Sequence, residues 1–177
     1  ILYFSIGLSV GVGAFLMQSF RETGKDEGTV QVKEDGKLQY KWYQPEIPKN
    51  LTFAGERVPL ERWEVRERLE REMIINYYMH GTTLYILKLT TRFFPMIEQK
   101  LKANGVPEDF KYLCVAESAL QNQVSAVGAS GFWQFMKDTG PRYGLEVNAD
   151  VDERYHPAKA TDAASAYLKE AYGKFYS

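Results

Sequence analysis

The residues of this chain that could do chemistry are concentrated in one segment, from Asp109 to Leu145. An acid and a hydroxyl, Glu117 and Ser118, stand near its start, and a glycine-rich turn follows them. The turn leads into the run Gly131-Phe132-Trp133-Gln134. A carboxyl group followed by a turn with bulky aromatic and amide side chains suits proton transfer next to a bound ligand, because a positioned carboxyl group can both donate and accept a proton.

The spacing around Glu117 predicts where its side chain points. Phe110, Leu113, Cys114 and Glu117 stand at i, i+3, i+4 and i+7, so on a helix they share the stripe that faces the core. A carboxyl group there is poorly solvated, and desolvation raises its pKa toward the range of a proton donor at neutral pH. The alternative is a buried structural glutamate that is paired with a distant Arg or Lys.

The residues after Glu117 match a known pattern. ES is followed by S-A-V-G-A-S-G-F-W-Q, then by T-G, Y-G-L, V-N and V-D-E-R. This order resembles the lytic transglycosylase domain of glycoside hydrolase family 23, which is related in fold to goose-type lysozyme. The resemblance runs from about Phe53 to the last residue and is densest from Asp109 to Tyr172. It implies a mainly α, lysozyme-like helical domain that acts on the glycan strands of peptidoglycan.

The resemblance also implies roles for individual residues. Glu117 would be the catalytic residue, and Gln134 would line the sugar groove. For Trp133, core packing and sugar stacking are both open, and Ser118 could either support the helix of the acid or bond locally to backbone. Gly131 would supply a positive φ or a close approach to a ligand. The predicted substrate-binding residues are Ser118, Ser125, Gly131, Trp133, Gln134 and Tyr143.

The resemblance implies a reaction that needs one carboxylate instead of the usual two of glycosidases. Protonated Glu117 would protonate the oxygen between MurNAc and GlcNAc and would then deprotonate the MurNAc 6-hydroxyl, which attacks C1 to give a 1,6-anhydro sugar. A second carboxylate would favour hydrolysis. Asp150, Asp152 and Glu153 are candidates, but Asp152 suits an ion pair with Arg154 that pins its loop.

Two other functions stay open beside the transglycosylase. One is a lysozyme-type hydrolase of the same fold, and the other is a non-catalytic envelope protein that binds glycan. His156, which precedes Pro157, is expected to be a solvated loop or capping residue.

Composition favours one enzyme domain without a cofactor. The 177 residues are 45% hydrophobic, which suffices for a core, and the net charge of -1 does not suggest nucleic acid as a partner. His80 and His156 stand far apart, and Cys114 is the only thiol, so neither a metal site nor a disulfide is predicted. Cys114 is expected to be a small core residue.

The N-terminal residues indicate a membrane partner. Residues 1–20 carry no charge, and a helix of that length spans roughly 30 Å, so we predict a transmembrane anchor over a cleaved signal. The predicted protein is anchored in the inner membrane of a bacterium, with its catalytic domain in the periplasm.

We predict three further parts of the chain: residues 21–50 are a flexible linker, residues 51–106 are an N-terminal helical extension, and residues 107–177 are the catalytic domain. The resemblance implies that this domain is incomplete at its C-terminus, with further helices after those of the chain.

Helical periodicity dominates the rest of the sequence. Val65, Leu69, Met73 and Tyr77 recur every fourth residue and predict a long amphipathic helix after Pro59. Turn and capping signals predict further helices over residues 82–94, 95–103, 107–118, 131–143 and 157–175.

Overall fold

The structure is a computed structural model, and it describes residues 31–32, 38–39 and 45–175. Within this part the chain is mainly α, as predicted. The elements are β1 (Gln31–Val32), β2 (Leu38–Gln39), β3 (Thr52–Phe53), β4 (Glu56–Arg57), α1 (Trp63–Tyr78), α2 (His80–Ala103), α3 (Lys111–Ser118) and α4 (Pro157–Phe175).

The predicted membrane anchor, residues 1–20, lies outside the described residues. Within the described part, none of the helices combines the length and the apolar character that crossing a bilayer requires. The predicted linker, residues 21–50, contains one antiparallel strand pair, β1 with β2. The pair is two residues long on each side, too short for sequence alternation to reveal.

The amphipathic helix predicted after Pro59 is confirmed as α1. Its residues Leu69 and Met73 are buried, and with Leu60 they form a small core of their own. Four partly buried residues complete this cluster: Ile47, Leu51, Val58 and Val65.

Helix α2 is one continuous helix, so the predicted division at Pro95 is wrong. Pro95 is exposed, and water can therefore satisfy the carbonyl that loses its hydrogen-bond donor. On the opposite side Phe94, Ile97 and Leu101 are buried. The burial of these side chains stabilises the helix on both sides of Pro95.

The main core joins α2, α3 and α4. Ala160, Ala163 and Ala164 are buried on α4, and these small side chains let the helix pack closely against its neighbours. The core therefore runs through the boundary predicted between residues 106 and 107. Its buried members are Phe94, Ile97, Leu101, Val106, Leu113, Cys114, Leu120, Phe132, Trp133, Phe135, Leu145, Ala160, Ala163 and Ala164.

The helix predicted over residues 131–143 is wrong. Residues 131–134 form turns, and only Gly140–Tyr143 winds into a short 3₁₀ helix. Gly131 has φ +77° and Gln134 has φ +48°. Neither value fits a right-handed helix. The apolar residues of this segment are therefore buried from a loop and not from a helix.

The predicted helix over residues 107–118 forms, but its first turn differs. Pro107 has an extended ψ of 134° and lies outside the helix, and Glu108–Phe110 is a 3₁₀ turn. The α-helix α3 begins at Lys111 and is eight residues long. The helix predicted over 157–175 is confirmed as α4.

Candidate active site

Glu117 lies on the last turn of α3 and is half-buried. Burial raises the pKa of its carboxyl group above the ordinary value, as the apolar stripe predicts. Among the residues that the structure describes, none forms an ion pair or a side-chain hydrogen bond with this carboxyl group. The described residues therefore give no support to a structural glutamate paired with a distant Arg or Lys.

Ser118 supports the end of the helix of the acid. Its side chain is buried, and its hydroxyl donates to the carbonyl of Cys114 at 3.2 Å. Its own carbonyl accepts from Gln123 Nε2 at 3.1 Å. Ala119 and Leu120 then adopt left-handed φ values of 52° and 57°, which turn the chain away from the helix axis. The geometry combines the two open roles of Ser118, because its local bond to backbone lies within the helix that carries the acid.

The segment 123–135, which we call the clamped loop, packs beside this helix end. Ser125 closes its first turn, because its hydroxyl accepts from the Ala129 amide at 3.0 Å and its amide donates to the Ala129 carbonyl at 2.8 Å. Ser130 donates its amide to the Phe135 carbonyl at 3.0 Å. Cys114, which is buried as predicted, bonds from Sγ to the Phe132 carbonyl at 3.4 Å. The loop is thereby joined to α3 one turn before the acid.

Gly131 is where the clamped loop meets the loop of Arg154. A Cβ at Gly131 would lie 1.9 Å from the carbonyl oxygen of Arg154 and 2.7 Å from its carbonyl carbon. The backbone also has a positive φ of 77°. The close approach that was predicted for this glycine is therefore to protein backbone.

Arg154 holds the clamped loop from inside. Its side chain is buried, and its Nη1 donates to the carbonyls of Gly128 and Phe135, each at 3.1 Å. Its Nη2 pairs with Asp152 Oδ2 at 2.7 Å, which confirms the predicted ion pair. That bond lowers the pKa of the Asp152 carboxyl group. The predicted role of the Asp152–Arg154 pair was to fix its own loop. In the structure Arg154 also fixes the clamped loop, through its bonds to Gly128 and Phe135.

Trp133 and Gln134 are adjacent but differ in setting. Trp133 is buried, and its indole Nε1 donates to Thr161 Oγ1 on α4 at 2.9 Å, so its place is in the core. Gln134 is half-buried, and its Nε2 donates to the carbonyls of Gln123 at 3.1 Å and Gly131 at 2.8 Å. These two bonds occupy the amide nitrogen and leave the amide oxygen as an acceptor.

Tyr143 belongs to an aromatic and acidic group on the other side of the loop. Its hydroxyl donates to Glu170 Oε2 at 2.9 Å, and its ring stands edge-on to Tyr167 at 5.4 Å between centroids. The pKa of Tyr167 is raised by burial, with smaller contributions from the charges of Glu170 and Glu117.

Sequence reasoning missed Tyr167, whose ring packs against that of the predicted site residue Tyr143. The available signal was its position on α4, seven residues after Ala160 and three after Ala164 on the buried face.

Two of the three acids that could have formed a second catalytic carboxylate are bonded to neighbouring residues. Asp152 bonds to Arg154 as described, and Glu153 accepts from the Glu146 amide at 2.9 Å and pairs with Lys159. The Glu146 amide and then Lys159 lower the pKa of the Glu153 carboxyl group. His156 is exposed and accepts the Lys159 amide at Nδ1 at 3.3 Å, so its predicted capping role is confirmed.

Comparisons with known proteins show a similarity over the second part of the chain. Residues 94–177 match the family model described as "Transglycosylase SLT domain". Two similar relatives are called "Membrane-bound lytic murein transglycosylase D", from Escherichia coli strain K12 and from Escherichia coli O6:H1 strain CFT073. Each is 27% identical over 116 residues, which cover 63% of this chain and 25% of the relative. No solved structure matches the chain.

Proposed function

Because residues 94–177 match the transglycosylase SLT family model, we propose that this protein is a peptidoglycan lytic transglycosylase with Glu117 as its catalytic residue. The substrate is the glycan strand, and the bond cleaved is the β-1,4 bond between MurNAc and GlcNAc. The product carries a 1,6-anhydroMurNAc end, and the role of the reaction is cell-wall turnover.

In the proposed reaction one carboxyl group acts twice. Protonated Glu117 gives its proton to the glycosidic oxygen, and the C1–O bond breaks as GlcNAc leaves. The carboxylate that remains takes the proton of the MurNAc 6-hydroxyl, and the oxygen of that hydroxyl forms the new bond to C1. The acid thus returns to its protonated form, and no water is consumed.

The observation that carries this proposal is the environment of Glu117. Burial raises the pKa of its carboxyl group, and no described cation pairs with it. Both shift the carboxyl group toward its protonated form, which is the form that the first step needs. Because the side chain is only half-buried, a substrate can still reach it.

The neighbouring residues receive different proposed roles. Gln134 contacts the sugar through its free amide oxygen, and Ser125 within the clamped loop and Tyr143 after it line the groove. Ser118, Gly131 and Trp133 act on the substrate indirectly, because their side chains or backbone are buried against protein. They hold the loop and the acid in place.

The proposed location is the bacterial cell envelope. The uncharged run of residues 1–20 supports an inner-membrane anchor, with residues 21–50 as its linker and the catalytic domain in the periplasm. Fractionation of cells that express the full-length protein tests this part. The protein should remain with the inner membrane after a salt wash, whereas a soluble periplasmic form shortened near Arg21 would contradict the anchor.

Mass spectrometry of the products tests the activity. The full-length protein is incubated with purified peptidoglycan, and the released muropeptides should carry 1,6-anhydroMurNAc ends. Reducing ends would show a lysozyme-type hydrolase instead. Binding to the glycan without any release would show a non-catalytic glycan-binding protein.

A further inference from the structure

A small hairpin from the N-terminal part of the chain lies against the start of the helix that carries Glu117. Strands β3 and β4 pair in register, Thr52 with Arg57 and Phe53 with Glu56. The amide of Ala54, at the tip of this hairpin, donates to Asp109 Oδ2 at 2.8 Å, across 55 residues of sequence.

A ring contact accompanies this bond. The ring of Phe53 stands edge-on to that of Phe110, with 5.4 Å between centroids and an interplanar angle of 75°. Asp109 and Phe110 belong to the 3₁₀ turn that leads directly into α3. We call the Ala54–Asp109 bond and the Phe53–Phe110 contact together the hairpin strap.

The hairpin turn explains why Asp109 is needed there. Ala54 and Gly55 have φ values of 52° and 83°, the left-handed pair that a two-residue hairpin turn requires. Glycine accepts this conformation freely, whereas alanine pays roughly 1–2 kcal/mol for it. A charge-assisted bond from the Ala54 amide to a carboxylate offsets this cost, because such bonds are stronger than neutral ones.

Helix α3 depends on contacts at both of its ends. It has eight residues, and helices of this length are unstable on their own, so tertiary contacts decide where its side chains lie. At its C-terminal end the bonds from Cys114 and Gln123 hold it. At its N-terminal end Lys111 pairs with Glu98 at 2.5 Å, and the hairpin strap holds the turn before it.

We propose that the hairpin strap is a positioning element for Glu117. Phe110 lies seven residues before Glu117, in the 3₁₀ turn that continues directly into α3, so a shift at the strap is carried along α3 to the acid. A displacement of about 1 Å at a reacting group can cost about a hundredfold in rate. Asp109 is thus a positioning residue, and its effect on rate rests on the function proposed above.

The test compares two neighbouring acids in the full-length protein. Asp109→Ala removes the acceptor for the Ala54 amide, whereas Glu108→Ala removes an exposed acid from the same turn. We expect kcat to fall about tenfold in Asp109→Ala, with KM within about twofold of the wild type. Glu108→Ala should keep the wild-type kcat. Asp109→Asn should restore most of the rate, because its side-chain oxygen still accepts a hydrogen bond.

A double variant separates position from stability. Ala54→Gly relieves the left-handed strain at the hairpin tip, so Asp109→Ala combined with Ala54→Gly should regain thermal stability while kcat stays low. If kcat recovers together with stability, the strap only stabilises the fold and the proposal is overturned.

A second measurement does not depend on activity. The Ala119 amide donates to the Val115 carbonyl at 2.7 Å at the end of α3, and its hydrogen exchange reports whether the helix is held. Exchange there should be faster in Asp109→Ala than in Glu108→Ala. Equal exchange in the two variants would contradict the proposal that the hairpin strap holds α3. If the wild type forms no anhydro product, the proposed function fails. The hydrogen exchange of the Ala119 amide then shows by itself whether the hairpin strap holds α3.

Discussion

Helix α3 and the clamped loop hold the two sides of the site by different means. Helix α3 places Glu117 through a regular backbone and an apolar stripe that continues from Phe110. The clamped loop has no regular element and depends on Arg154, a buried side chain from another loop, with Gly131 packed against the Arg154 backbone. The helix therefore supplies the reacting group, and the loop supplies a surface whose shape depends on remote residues.

This difference separates changes that affect chemistry from changes that affect structure. Glu117 has no described partner, so its replacement should leave the fold unchanged. The residues of the clamped loop are bonded to backbone, so most replacements there should affect folding first. Four predictions follow this distinction, from the largest expected effect to the smallest.

Glu117→Gln should abolish nearly all cleavage and leave the fold intact. The substitution keeps the volume of the side chain and removes the proton donor, and general acid–base groups supply about a hundredfold to ten-thousandfold in rate. Muropeptide release and thermal unfolding of the full-length variant measure the two effects. Glu108→Gln, on an exposed acid at the other end of the same segment, is the control. Near-normal release by folded Glu117→Gln would remove Glu117 from the catalytic role.

Gly131→Ala should destabilise the protein by about 2–5 kcal/mol. Its Cβ would lie 1.9 Å from the Arg154 carbonyl oxygen, so overpacking of roughly 1–3 kcal/mol adds to a left-handed cost of roughly 1–2 kcal/mol. Gly128→Ala is a matched control, because Gly128 has φ +85° but no atom within 4 Å of the added Cβ. Chemical denaturation measures both variants. Equal losses would mean that the Gly131–Arg154 approach has no energetic importance.

Gln134→Ala should lower activity by about tenfold or less and mainly raise KM. The change removes the amide oxygen proposed to contact the sugar, and a hydrogen bond of this kind contributes about 0.5–1.5 kcal/mol. Gln134 already has φ +48°, so alanine adds little new backbone strain. Kinetics on peptidoglycan, with exposed Gln121→Ala as the control, decide the matter. A variant as active as the wild type would make Gln134 purely structural.

The smallest expected effect is the pH dependence that Asp152 contributes to stability. Its bond to Arg154 holds its pKa in the folded state below the ordinary value of 3.8. The stabilisation is therefore present above pH 3.8 and is lost as the pH falls through the folded-state pKa. Unfolding free energies measured against pH should show this acid loss in the wild type. They should show less of it in Asp152→Asn, which should also be less stable at pH 7. Asp150→Asn, on the same loop, should keep the acid loss.

The sequence by itself determined the helical class and the place of the acid. Residues that repeat every third or fourth position specify a helix and its buried face, and this information is local. It was sufficient for α1, for α4 and for the raised pKa of the Glu117 carboxyl group. It was also sufficient for the Asp152–Arg154 pair, whose members are two residues apart.

Only the tertiary structure decided the course of the clamped loop and the support of α3. Apolar spacing over residues 131–143 suggested a helix, but Gly131 and Gln134 have positive φ, and Gly131 packs against the backbone of the distant Arg154. The Ala54–Asp109 bond spans 55 residues, and the bond from Trp133 to Thr161 joins the clamped loop to α4. Such contacts follow from how the elements pack around a shared core, and local periodicity carries no information about that packing.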